Sequence, residues 1–134
     1  MFAHFTQGSN NLQRSVSFYD ALLAPIGITR RDAIINDEVV CYISTEADLP
    51  RFFVVAPFNN KAATVGNGSM IAFNASSQKQ VDQSYSGGLN NGGTDEGAPG
   101  NRPQYTDGYY GAYLRDPDGN KIHIVYRGDL QQQN

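Results

Sequence analysis

The sequence predicts an α+β fold made of two βαβββ modules, with about eight strands in all and helices packed on one face. Three observations predict it. Gly108 to Tyr126, GYYGAYLRDPDGNKIHIVY, reads as a β-hairpin: two alternating runs flank the turn formers Asp116-Pro117-Asp118-Gly119-Asn120. Each half of the chain offers a strand, an amphipathic helix and further strands. The halves also repeat. At an offset of 66, His4 pairs with Met70, Tyr19 with Tyr85, Leu23 with Leu89 and Gly27 with Gly93; at an offset of 70, RFFVVA (51–56) lies over KIHIVY (121–126).

The first strand spans Phe2 to Gln7. A helix follows over Leu12 to Leu23, because Leu12, Val16, Tyr19 and Leu23 share one helical face. Ser9, Asn10 and Asn11 offer N-caps, while Pro25 and Gly27 stop the helix. Ile26 to Ile35 reads as a strand, Asn36-Asp37 as a turn, and Glu38 to Ser44 as the next strand. Arg51 to Ala56 is the fourth.

The second half restarts with a strand at Ser69 to Asn74. A helix follows over about Ser76 to Leu89, carried by Val81, Tyr85 and Leu89. Gly87 to Asp107, rich in Gly, Asn, Asp and Pro, reads as irregular, with one short strand near Asn101 to Tyr105. The hairpin closes the chain. This makes one domain over 1–134: module 1 over about 1–57, a connector over 58–68, module 2 over 69–127 and a tail over 128–134.

Strand side chains alternate between faces. Phe5 and Ala3 therefore oppose His4, and Ile122 and Ile124 oppose His123. One face is apolar and suits packing under the helices. The other is mixed, holds both histidines, and is where a curved sheet forms a pocket.

Composition narrows the function. At 134 residues, with 40% hydrophobic and 17% charged residues, the chain suits a globular protein with its own core. A net charge of −3 without a basic stripe argues against nucleic-acid binding. No apolar run reaches the roughly 20 residues a membrane helix needs, so no membrane partner is expected, and a cytoplasmic location follows by default. Cys41, the single cysteine, lies in the apolar run Val39 to Ile43 and reads as a buried, inert thiol.

Three segments carry a family resemblance: NLQRSVSFYDALLAPIGI (11–28), GNGSMIAFNASS (66–77) and GGTDEGAPGNRPQYTDGYYGAYLRDPDGNKIHIV (92–125). Across nearly the whole chain the sequence resembles the vicinal-oxygen-chelate superfamily of glyoxalases, bleomycin-resistance proteins and extradiol dioxygenases. The resemblance implies that the two modules form a curved, cup-like mixed sheet with the helices outside, and that the protein is a homodimer. It also implies metal ligands on the first and fourth strands of each module. Those positions here are His4, Phe53, Met70 and His123.

Phe has no donor atom and Met offers only a soft thioether, so the implied ligand set is degenerate, with His4 and His123 as its surviving metal candidates. The expected function is a small-molecule-binding protein of the bleomycin-resistance type, with no tightly bound cofactor. Its pocket is lined by Phe53, Met70, Tyr105 and Tyr110, with Arg102 available to an anionic ligand. The alternative is a lactoylglutathione-lyase-like enzyme, isomerase or dioxygenase. It would use Zn, Ni, Mn or Fe held by His4 and His123, or His123 as an acid–base catalyst. Asp116 and Asp118 are accounted for by the Pro-Asp-Gly turn.

Overall fold

The computed structural model describes residues 1–31 and 37–131. The chain forms β1 (His4–Gly8), α1 (Leu12–Leu23), a 3-10 turn (Ala24–Ile26), β2 (Ile28–Arg31), β3 (Val39–Ser44) and β4 (Arg51–Val55). The order then recurs: β5 (Ile71–Asn74), α2 (Gln78–Asn90), β6 (Thr94–Asn101), β7 (Tyr109–Arg115) and β8 (Lys121–Arg127), followed by the short α3 (Gly128–Gln131).

The eight strands divide into two four-stranded mixed sheets of equivalent order, β1-β4-β3-β2 and β5-β8-β7-β6. In each the first and fourth strands are parallel, and the other pairings are antiparallel. The register matches the internal repeat residue by residue. Phe5 lies opposite Phe52, and Ile71 lies opposite Ile122. The second pair is the first carried forward by the same two offsets, 66 and 70.

Local chemistry sets the helix ends. The Asn11 side chain accepts from the Arg14 amide and caps α1. Gly27, at φ +76°, makes the left-handed exit that a side chain would resist. Ser77 accepts from the Gln80 amide, and Gln80 reaches back to the Ser76 amide, so α2 begins with a pair of reciprocal bonds close to a capping box.

α1 buries Ser15, Phe18, Tyr19, Leu22 and Leu23, whereas α2 buries Val81, Ser84 and Gly88. Gly88 lets the helices and sheet close up, since a Cβ there would come within 3.0 Å of both Leu22 and Leu114 side chains. One apolar core joins these helices to Val40, Tyr42, Phe52, Val54, Phe73, Leu114, Ile122 and Ile124. The Phe52 and Phe73 rings meet edge-on at 5.2 Å and link the two sheets.

The turn after β7 is tied to α1. Asp116 is buried and accepts from the Tyr19 hydroxyl at 2.5 Å, the amides of Asp118 and Asn120, and the Asn120 side chain. Asp118 accepts from the Asn10 amide, Arg14 and Ser15. The two carboxylates therefore do more than shape their own turn: they dock the hairpin of the second sheet on the first helix.

The structure differs from expectation mainly between Asn90 and Asp107. TDEGAPGN, lacking apolar alternation, forms the eight-residue strand β6. Pairing with β7 holds it, through two register shifts at Asp95/Gly97 and Gly97/Gly100. The strand expected near Asn101 to Tyr105 is instead mostly a turn, closed by the Tyr105 amide on the Arg102 carbonyl. Of the strand expected over Ile26 to Ile35, residues Ile28–Arg31 are observed. Residues 32–36, including Asn36 of the expected turn, lie outside the described part.

Candidate functional site

Alternation along β8 sends Ile122 and Ile124 into the core and leaves His123 on the face turned away from the helices. The same rule on β7 places Tyr109, Gly111 and Tyr113 beside it. Tyr113 is the cross-strand partner of His123. The imidazole stacks on the Tyr113 ring at 4.0 Å and 7°, and lies nearly parallel to the Tyr109 ring at 5.8 Å and 13°. It also lies over Gly111, where a Cβ would stand 2.5 Å from its Cε1 atom. Only glycine leaves room for the ring.

His123 is 1% exposed, and both its nitrogens are engaged. Nδ1 lies 2.8 Å from the Ala112 carbonyl oxygen, which can only accept, so Nδ1 carries the proton. Nε2 of the neutral ring is then the acceptor of the Tyr109 hydroxyl at 2.7 Å. Burial lowers the His123 pKa from its ordinary value. Arg102 and Lys121 push it the same way, while the bond to Ala112 partly opposes them. The ring is held neutral in one tautomer.

Phenols and cations surround it. Tyr105 packs edge-on against Tyr109 at 5.0 Å, and the Tyr113 hydroxyl donates to the Tyr105 hydroxyl at 3.4 Å. Burial raises the pKa of both Tyr109 and Tyr113, the latter well above the usual phenol range. Arg102 and Lys121 lie over the Tyr113 ring at 5.8 and 5.2 Å, and Arg127 lies over Tyr109 at 5.2 Å.

The residues singled out from the sequence fall into four places. Arg102 and Tyr105 gather around His123. His4 is exposed and meets Phe53 edge-on at 5.4 Å on the other sheet, and Met70, 42% exposed, precedes β5. Phe53 lies opposite Thr6 as His123 lies opposite Ala72, so the two are structural equivalents. Tyr110 points the other way. It packs on the core and donates its hydroxyl to Asp82 of α2 at 2.7 Å.

On sequence alone Tyr109 is weighed but Tyr110 is taken for the pocket, and Gly111, Tyr113 and Lys121 are passed over. Adjacency of Tyr109 and Tyr110 already implies opposite faces, but choosing between them needs the β7–β8 register. With Tyr113 opposite His123, the odd-numbered residues of β7 share its face.

A resident hard divalent ion does not fit these residues. Phe53 has no donor atom, Met70 offers a thioether, and the Nε2 lone pair of His123 is directed at Tyr109. Among the described residues, no group of three or more His, Cys, Asp and Glu side chains could hold a metal ion. Cys41 is buried opposite Phe53, and burial raises its thiol pKa, so the thiolate is disfavoured. No helix among the described residues is long and apolar enough to cross a membrane.

Comparison with solved structures gives close likenesses. A glyoxalase/bleomycin resistance protein from Albidiferax ferrireducens T118 is 43% identical over 95% of this chain and 98% of that one, with a TM-score of 0.82. A glyoxalase-related enzyme from Fulvimarina pelagi is 20% identical over 94% and 87% of the two chains, with a TM-score of 0.72. A lactoylglutathione lyase from Agrobacterium tumefaciens is 17% identical over 97% and 95%, with a TM-score of 0.64. The last two likenesses are of fold alone. No family model matches the chain, and neither does any curated protein.

Proposed function

The chain belongs to the glyoxalase/bleomycin resistance protein family, and on that premise we propose that it is a small-molecule-binding protein that works without a resident divalent metal. The observation that carries this reading is the double engagement of His123. An imidazole whose Nδ1–H is given to Ala112 and whose Nε2 accepts from Tyr109 has no lone pair left for an ion. Rings of Tyr105, Tyr109 and Tyr113 supply a wall against which a ligand packs, and the nearby hydroxyls and cations supply orientation.

Metal analysis of the purified protein tests the reading. The expected result is substoichiometric Zn, Ni, Mn and Fe, with an unchanged Tm after chelation. A stoichiometric ion that is lost in a His4→Ala/His123→Ala variant overturns it.

The same hydrogen bond favours one second reading, in which His123 is a general base acting through Tyr109. A neutral Nε2 at 2.7 Å from a phenol is placed to take its proton as the phenol oxygen takes one from a ligand. A bell-shaped or sigmoidal pH–rate profile abolished by Tyr109→Phe would separate catalysis from binding.

We also infer a homodimer. β1 and β5 each end a sheet, so each has one strand edge unpaired within its sheet. Phe2 and Met70 are exposed next to those strands, at 59% and 42%. Sedimentation equilibrium is expected to give twice the chain mass; a monomer at millimolar concentration overturns the inference.

A further inference from the structure

We propose that the face of β7 and β8 beside His123 binds a small oxyanion, in the first instance a carboxylate, between the Arg102 guanidinium and the Lys121 ammonium. This rests on the small-molecule-binding reading and names the class of ligand.

Charge supports it first. The chain as a whole is acidic, with a net charge of −3, yet two cations converge on the single ring of Tyr113. Arg14, Arg30, Arg115 and Arg127 each sit within 4 Å of a carboxylate. Among the described residues neither Arg102 nor Lys121 does. Their field is felt at the centre of the site: after burial, both hold His123 toward its neutral form. Two uncompensated like charges repel each other, and an anion between them relieves that repulsion.

Preorganisation supports it second. Arg102 is positioned by backbone carbonyls instead of an acid, donating from Nη2 to Ala98 at 2.8 Å and from Nη1 to Asn101 at 3.3 Å. These carbonyls belong to the bulged strand β6. Gly100 leaves space beside the guanidinium, since a Cβ there would lie 3.0 Å from Nη1. The guanidinium is thus held in place with its charge unneutralised and with N–H donors left over. The Tyr105 hydroxyl, which accepts from Tyr113, keeps its own proton to donate.

The test compares benzoate with its neutral counterpart benzamide at low chloride, followed by backbone amide chemical shifts in the full chain. Benzoate is expected to saturate shifts at Gly111, Tyr113 and His123, and benzamide to leave them unmoved. Arg102→Gln and Lys121→Gln are each expected to weaken benzoate by about tenfold, while distant shifts certify the fold. Arg102→Lys is expected to restore part of the loss.

Inorganic phosphate serves as a second probe. Displacement of benzoate by phosphate assigns the site to oxyanions in general, and no displacement assigns it to carboxylates; either supports the proposal. Equal binding of benzamide, benzoate binding that survives both glutamine variants, or no saturable benzoate shift overturns it. The first two outcomes sink charge selection while leaving small-molecule binding intact, and that broader reading stands or falls on the metal analysis.

Discussion

Tyr109 donates its phenolic proton to Nε2 of His123 across 2.7 Å, closing a hydrogen-bonded path that runs from the open face of the sheet to the carbonyl of Ala112. The bond exists because the two residues project from neighbouring antiparallel strands onto the same face, with Gly111 vacant between them. The Ala112 carbonyl decides the tautomer of the histidine, the Tyr109 bond follows from it, and burial makes the protonation state a property of the fold.

A pH dependence follows. The folded state lowers the His123 pKa below the ordinary value of about 6.5 that the unfolded chain keeps. Between the two values the unfolded state binds more protons. The stabilisation is therefore complete above about pH 6.5 and is lost as pH falls through the folded pKa. Urea midpoints measured from pH 8 to 5 are expected to hold level and then drop. His123→Gln is expected to flatten that drop, and an unchanged profile in the variant would refute the assignment.

Gly111→Ala is expected to destabilise the protein by about 2 kcal/mol. The added methyl would press on the His123 ring at 2.5 Å and on the Ile124 carbonyl at 3.1 Å, and neither has free space. Denaturation gives the energy. The ring-proton shifts of His123, which sits between two aromatic rings, report whether the imidazole has moved.

Asp116→Ala is expected to cost about 3 kcal/mol or more. It strands the buried Tyr19 hydroxyl, one of the two Asn120 side-chain N–H groups and two turn amides at once. Tyr19→Phe is expected to cost less, because Asp116 keeps its other donors. A double-mutant cycle of Tyr19→Phe with Asp116→Asn should show coupling, and strict additivity would contradict a shared network.

Ser84→Ala is expected to stabilise by about 1 kcal/mol. Its hydroxyl is fully buried in α2 and has no hydrogen-bond partner among the described residues, so the variant removes an unpaid desolvation cost at little change in volume. A lower Tm in the variant would point to a partner such as buried water.

Much of the fold is legible because its signals are local. The 3.6-residue spacing and Asn11 place α1 at Leu12–Leu23, as expected from the sequence. The turn formers of 116–120 place the β7–β8 hairpin. β6 is not legible in this way: TDEGAPGN carries no strand periodicity, and only its pairing with β7 makes it a strand. Arg102 is affected in turn, since the bulges of that strand position it.

The site divides along the same line. His123 and its equivalence to Phe53 follow from the internal repeat, which is a property of residue order. The choice of Tyr109 over Tyr110 does not, because adjacent strand residues differ only in face and the face is set by cross-strand register.

By itself, then, the sequence determined the βαβββ repeat, the helix spans and the closing hairpin, all of which are written in periodicity and residue type. Tertiary structure alone decided that His123 has both nitrogens occupied, that Arg102 and Lys121 converge on Tyr113, and that Asp116 and Asp118 bind the hairpin to α1. Each of these depends on atoms brought together from different elements, and a hydrogen bond or a charge pair is a matter of a few ångströms that spacing along the chain does not encode.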